Sequence, residues 1–220
     1  MLTLLSATPS PYARKNRIAL LEKSIPFVLR SEIPWESSTQ TPLYNPLEKL
    51  PVLLFDDGRP PLYESWLIQE WIVREYEGVG PRLMPQGWEE ALAARRVQVV
   101  ADGGCDAMGL AFFETSRGEL QSSEWLARQL RKVQGAIRAM DGFVKARRRG
   151  SDFLIGDELS IADIAAGAML GMMDMVESQF GLVQWSEEFP ELRKWWEWLE
   201  ERESFRETRP VMFELSEKVA

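Results

Sequence analysis

Apolar positions in the first eighty residues come in two spacings. Leu2 to Leu5 is a short apolar run of strand length. Pro11 then opens a segment with Ile18, Ala19, Leu20 and Leu21 on one side, a helix pattern with proline in its favoured first turn. Pro26 to Leu29 reads as a second strand, and residues 31–45, rich in proline, serine and threonine, as a loop with room for one short helix. Val52 to Phe55 is too short and too apolar for a surface helix and reads as a buried strand. Asp56-Asp57-Gly58 is a hairpin signal leading to a second short strand at Leu62-Tyr63. A helix follows from about Glu64 to Tyr76. A helical crossover between the first two strands makes them parallel, whereas the later hairpin is antiparallel.

Residues 78–87 hold three glycines with Pro81 and Pro85, the composition of a linker. Beyond it the periodicity is helical, with helices predicted near 88–116, 120–148, 160–178 and 189–203 and a looser C-terminal segment. The expected organisation is a first domain over 1–79, a linker over 80–88 and an all-helical domain over 89–220. Ser160 and Asp163 have capping-box spacing ahead of an apolar helix, each side chain able to satisfy a free backbone N–H at its start.

Composition narrows the chemistry. The 220 residues suffice for two small domains with cores, and 45% hydrophobic and 27% charged residues are ordinary for a globular protein. A net charge of −8 speaks against broad nucleic-acid binding. The start of the chain lacks a basic n-region followed by an apolar stretch, and no run approaches a membrane span, so a soluble cytoplasmic protein is expected. A single cysteine excludes an internal disulfide, a Cys-x-x-Cys redox pair and a thiolate cage. With no histidine, Ser-His and Cys-His catalysis and histidine-held zinc are excluded too. Hydroxyls, carboxylates, arginines, backbone dipoles or a bound cosubstrate must carry any reaction, and no metal is expected.

The string Asn45-Pro46-Leu47-Glu48-Lys49-Leu50-Pro51-Val52-Leu53-Leu54, with Glu64-Ser65 after the hairpin, resembles the N-terminal half of the glutathione transferase family. Phe153-Leu154-Ile155-Gly156-Asp157-Glu158-Leu159-Ser160-Ile161-Ala162-Asp163-Ile164 is similar to a structural motif in that family's C-terminal domain. Ser10-Pro11-Tyr12-Ala13 looks like the Ser-Pro-Phe-Ala segment of serine-type members, notably the tau class, and like the omega-class motif with serine replacing cysteine. The resemblance covers nearly the whole chain. It implies an α/β thioredoxin-like N-terminal domain, an all-α C-terminal helical bundle and a homodimer.

Ser10, ahead of a helix, would by itself be read as an N-cap; the resemblance makes it the candidate catalytic residue, with Ser6 and Thr8 as weaker alternatives. Without a base, its hydroxyl stays protonated and can donate a hydrogen bond to a bound thiolate. Lowering a thiol from a pKa of about 8.5 to about 6.5 takes roughly 2.7 kcal/mol. One hydrogen bond to a charged group supplies roughly 1.5–3 kcal/mol, and a helix N-terminus about 0.3–1 kcal/mol more. By position in the family, Leu50 ahead of a cis Pro51 would pair with the cysteinyl unit of glutathione. Lys49 would approach its glycyl end, and Glu64 with Ser65 would hold its γ-glutamyl end. Glu48 departs from the family, where glycine is usual.

Tyr12, with Cys105, Met108 and Phe112 from a stripe that begins at Ala101, is the candidate second-substrate pocket for a small apolar electrophile; such a stripe equally builds a core. Trp195, Trp196 and Trp198 read as packing between helices, and Lys145 to Arg149 as cations at a helix end. The resemblance implies conjugation of glutathione in detoxification. Its rivals are a non-catalytic glutathione or apolar-ligand binding protein, a transferase-like interaction module, and a glutathione-dependent isomerase or dehalogenase. A thiol-disulfide exchanger needs cysteine at position 10. One structural expectation is direct: Ser160→Ala should lower the unfolding free energy by about 0.5–2 kcal/mol in urea titrations.

Overall fold

Leu2, Leu4 and Leu5 are buried, and the strand that carries them, β1 (Leu2–Ser6), takes an inner place in a four-stranded sheet. The structure is a computed structural model and describes residues 1–212. Helix α1 (Pro11–Glu22) crosses from β1 to β2 (Phe27–Ser31), which pairs parallel to β1 from Leu2↔Phe27 to Ser6↔Ser31. Strand β3 (Val52–Phe55) runs antiparallel on the other side of β1, and β4 (Leu62–Tyr63) antiparallel to β3. The sheet order β2-β1-β3-β4, followed by helix α2 (Ser65–Glu75), is the thioredoxin-like arrangement. Strand β2 begins one residue later than expected and extends to Arg30 and Ser31. As an edge strand it tolerates them, and it leaves Val28 and Leu29 exposed.

Ile18, Ala19 and Leu20 of α1 are fully buried, as their helical spacing predicts. Lys23, at the C-terminal cap of α1, is also buried. Its ammonium donates to the carbonyls of Tyr76, Val79 and Pro81 at 2.7, 2.9 and 3.2 Å. A buried ammonium needs such acceptors, and these tie the end of α2 and the following turn to α1. Gly80 sits at φ +61, where an added Cβ would lie 2.9 Å from the Lys23 Cα. This tight crossing requires glycine.

The helical unit comprises α3 (Trp88–Thr115), α4 (Ser123–Lys145), α5 (Ile161–Phe180) and α6 (Pro190–Glu200), and the short α7 (Glu203–Arg206) follows it in the chain. Helix α4 starts later than predicted because Ser122 caps it, accepting from Trp125 N–H at 3.2 Å, after a separate 3-10 turn at Gly118–Leu120. Helices α3 and α4 approach closely at Gly104, where a Cβ would meet Ala136 Cβ at 2.8 Å and the Met169 thioether of α5 at 3.2 Å. Trp195 and Trp196 are buried as packing; Trp196 meets Trp185 edge to face at 5.9 Å, and Trp195 Nε1 donates to Asp152 O at 2.9 Å. Lys145 pairs with Asp141 at 2.7 Å and Arg148 with Asp157 at 2.6 Å, which accounts for two members of the basic cluster. The predicted single helix over 189–203 is interrupted after Glu200. The chain forms two compact units, Met84–Arg202 and Met1–Leu83 joined by the segment from Glu203. The last part of the expected looser segment, 213–220, lies outside the described residues.

The capping box at α5 forms. Ser160 Oγ accepts from Ala162 N–H at 3.2 Å, while Asp163 accepts from Ser160 N–H at 2.9 Å and from Leu154 N–H at 2.7 Å. Burial raises the Asp163 carboxyl from 3.8 to about 6, against the opposing pull of these hydrogen bonds. A folded-state pKa above the unfolded one means that the folded protein holds this proton more tightly. The associated stability is full below about pH 4 and is lost as pH rises through about 6. The stability advantage of the wild type over the non-titrating Asp163→Asn variant should therefore narrow between those pH values. Urea midpoints at half-unit pH steps would show it, and a widening gap would refute it.

Candidate functional site

Strand register brings three separate loops to one end of the sheet. Leu5 pairs with Val52, and Val52 pairs with Tyr63, so these residues form one row across β1, β3 and β4. Because β3 runs opposite to its neighbours, the chain leaving β1 toward Ser10, the chain entering β3 at Pro51 and the chain leaving β4 at Glu64 all meet at this end. The sequence-predicted residues Ser10, Leu50, Pro51, Glu64 and Ser65 are gathered there.

Ser10 is the N-cap of α1, with extended φ −71° and ψ 117°, and its Oγ accepts from Ala13 N–H at 3.2 Å. In this contact the hydroxyl acts as acceptor, so its own proton is not used by it. Ser10 is half-buried. Of the alternatives, Ser6 is buried in β1 with its hydroxyl on Ala7 O at 3.4 Å, and Thr8 is half-buried in the intervening turn. Tyr12 is half-buried on the first turn of α1.

The loop before β3 is organised by Asn45, a buried residue that sequence reasoning left among the motif without a role. Its Nδ2 donates to Lys49 O at 2.8 Å, and its Oδ1 accepts from Leu47 N–H at 2.9 Å. The Asn-Pro dipeptide, a turn signal, was the available clue. The Leu50–Pro51 peptide is cis, as the resemblance implied. Leu50 is half-buried, and Lys49 is exposed. Glu48 adopts φ +53, the left-handed region that favours glycine, so the loop keeps a glycine-like shape despite the substitution.

Glu64 caps α2 from another left-handed position, φ +73. Its carboxylate Oε1 accepts from Ser65 N–H at 2.8 Å and from Ser65 Oγ at 3.4 Å. Ser65 is buried and Glu64 exposed. A carboxylate thus already lies on this helix start, which demonstrates the polarity of the position.

On α3, Ala101, Cys105 and Met108 are closed inside the helical bundle, as core residues are. Phe112 is half-buried and packs edge to face on Phe180 with centroids 5.3 Å apart. Among the described residues no group of His, Cys, Asp and Glu could hold a metal ion, and no helix is long and apolar enough to cross a membrane.

Residues 9–75 match the glutathione S-transferase N-terminal domain, and residues 106–203 the glutathione S-transferase C-terminal domain. A glutathione S-transferase from Methylobacterium radiotolerans, solved in complex with glutathione sulfonate, superposes with a TM-score of 0.91 at 41% identity, covering 100% of this chain and 99% of its own. The uncharacterized GST-like protein YibF of Escherichia coli is 32% identical over 208 residues, 94% of this chain and 98% of that protein. FtsZ-localized protein A of Caulobacter vibrioides is 30% identical over 201 residues, 89% and 85% of the two chains. The chain belongs to the glutathione transferase family.

The strained loop generates a test. Glu48→Gly should raise the unfolding free energy by up to about 1 kcal/mol, the left-handed penalty less the entropy of glycine. Glu48→Val should lower it by about 1–3 kcal/mol, since a β-branched residue resists that conformation. Equal urea midpoints for all three proteins would contradict this account.

Proposed function

We propose that this protein is a serine-type glutathione transferase that joins the glutathione thiolate to a small apolar electrophile. The carrying observation is Ser10: a helix-capping hydroxyl with its proton still to donate, at the sheet end where Leu50-Pro51 and Glu64-Ser65 also lie. The main chain of Leu50 pairs with the cysteinyl unit, Lys49 approaches the glycyl carboxylate, and Ser65 N–H and Oγ take the γ-glutamyl carboxylate. Glu64 then turns to the ligand's amine. The bound thiol releases its proton to solvent, and Ser10 donates a hydrogen bond to the sulfur without ionising. The sulfur lone pair then forms the new carbon–sulfur bond as the leaving group, or the electrons of an activated double bond, depart. No protein atom is consumed.

For the second substrate, Tyr12 is half-buried beside Ser10 in sequence, whereas of the candidates on α3 Phe112 alone has exposed surface and Cys105 and Met108 are buried. A homodimer acting in the cytoplasm, in detoxification, fits this reading. The relationship to FtsZ-localized protein A favours one rival, an interaction module on the same fold. A glutathione-dependent isomerase or dehalogenase would use the same thiolate.

Titration calorimetry with reduced glutathione, run with absorbance near 240 nm, separates these readings. Binding with a thiolate signal is expected, and Ser10→Ala should abolish the signal near neutral pH and lower kcat/KM about 10- to 100-fold. Binding without thiolate would favour a carrier. Absence of binding would leave the interaction module.

A further inference from the structure

Ser10, Arg14 and Arg17 follow one another along α1 at i, i+4 and i+7, the spacing of a single helix side. The segment from α7 to Thr208 lies against that side. Arg14 Nη2 donates to Phe205 O at 3.0 Å, and its Nε to Thr208 Oγ1 at 3.4 Å. The guanidinium also stands 5.8 Å from the centroid of the Phe205 ring. Arg17 Nη2 donates to Glu207 O at 3.3 Å, and Ser204 Oγ donates to Glu22, the last residue of α1. Thr208 Oγ1 in turn donates to Ser204 O at 2.8 Å, which closes the strap on itself. Arg14, Phe205 and Thr208 are all buried, with at most 1% of each exposed. A guanidinium that far from water is held in one orientation by its acceptors, because losing any of them leaves a desolvated donor.

The same Arg14 closes the first turn of α1 from within. Its backbone N–H donates to Ser10 O at 3.0 Å, and the adjacent Ala13 N–H donates to Ser10 Oγ. A shift of Arg14 is therefore passed directly to the cap and to the serine rotamer. We infer that Arg14 and Thr208 are positioning residues for Ser10, the strap 203–208 setting the aim of its hydroxyl at the bound sulfur. This inference rests on the transferase reading, and it assigns a role in chemistry to a segment almost two hundred residues from Ser10.

Thr208→Val keeps the shape and removes the hydroxyl's hydrogen bonds, from Arg14 and to Ser204 O and Phe205 O; Thr208→Ser keeps the hydroxyl. With reduced glutathione, absorbance near 240 nm against pH gives the titration of the bound thiol, and steady-state kinetics give kcat and KM. Thr208→Val should displace the thiolate titration to higher pH and lower kcat about tenfold with the glutathione KM unchanged, the loss expected of a reacting group misplaced by a fraction of an ångström. Thr208→Ser should restore both. Arg14→Met should move the same quantities further; if it does not fold, the Thr208 pair decides. A Thr208→Val protein that is less stable but titrates and turns over like wild type overturns the inference and leaves the transferase reading standing. Absence of a thiolate in the wild type overturns both.

Discussion

Helix α1 is anchored near both ends by buried cations whose partners include main-chain carbonyls: Arg14 on Phe205, and Lys23 on Tyr76, Val79 and Pro81. Removing a charge from water is costly, and a carbonyl returns part of that cost as a charge-assisted hydrogen bond. The cost shows at Lys23, whose ammonium is shifted down from its ordinary value chiefly by desolvation. Because these acceptors belong to backbone, no rotamer change can release them; the chain itself would have to move. The apolar side formed by Ile18, Ala19 and Leu20 holds α1 inward by non-directional forces, and the two cations supply the direction.

With α1 fixed, the rest of the N-terminal site follows from strand pairing. Side chains on a strand alternate faces, so a one-residue slip of β3 against β1 would reverse Val52 and Leu53, both fully buried, and carry Pro51 away from its place. Burial of those two residues therefore protects the position of the loop ahead of them. Asn45 does the equivalent work within that loop by satisfying Lys49 O and Leu47 N–H, which have no strand to pair with. Apart from Ser24 in the turn after α1, the non-glycine residues at positive φ among the described residues are Glu48 and Glu64, at two loop ends beside the site, where surrounding hydrogen bonds and packing override local preference.

The features legible in the sequence are those set by neighbours in the chain. Strands β1, β3 and β4, the proline-led start of α1 and the Ser160–Asp163 box depend on residues within a few positions, and all appeared where local pattern put them. The gathering of Ser10, Pro51 and Ser65 was legible only through resemblance to a family, since nothing local states the register of β3. The partners of Arg14 and Lys23 were invisible, because a buried basic residue on a helix reads as a solvated one until its distant acceptors are known. The same holds for the break after Glu200: the helical period continues toward Glu203, but the segment beyond it is claimed by α1. The left-handed backbone at Glu48 was hinted at by the glycine expected there. That at Glu64 had no residue-type signal, glutamate being a poor candidate for it.

A chain without histidine and with its one cysteine buried has few ways to favour an anion at neutral pH. The devices present at α1 and α2 are N–H groups of helix starts and two serine hydroxyls, none of which changes charge near neutrality. In the proposed reaction such groups stabilise a thiolate by a preference that stays constant with pH, so the titration in that range belongs to the sulfur itself. Their weakness is angular: a dipole or hydroxyl loses its effect when turned away, whereas a full charge loses little. An enzyme that relies on oriented neutral groups has to hold their supporting helix rigidly. The buried cations near either end of α1, bonded to main-chain carbonyls, meet that requirement for the proposed reaction.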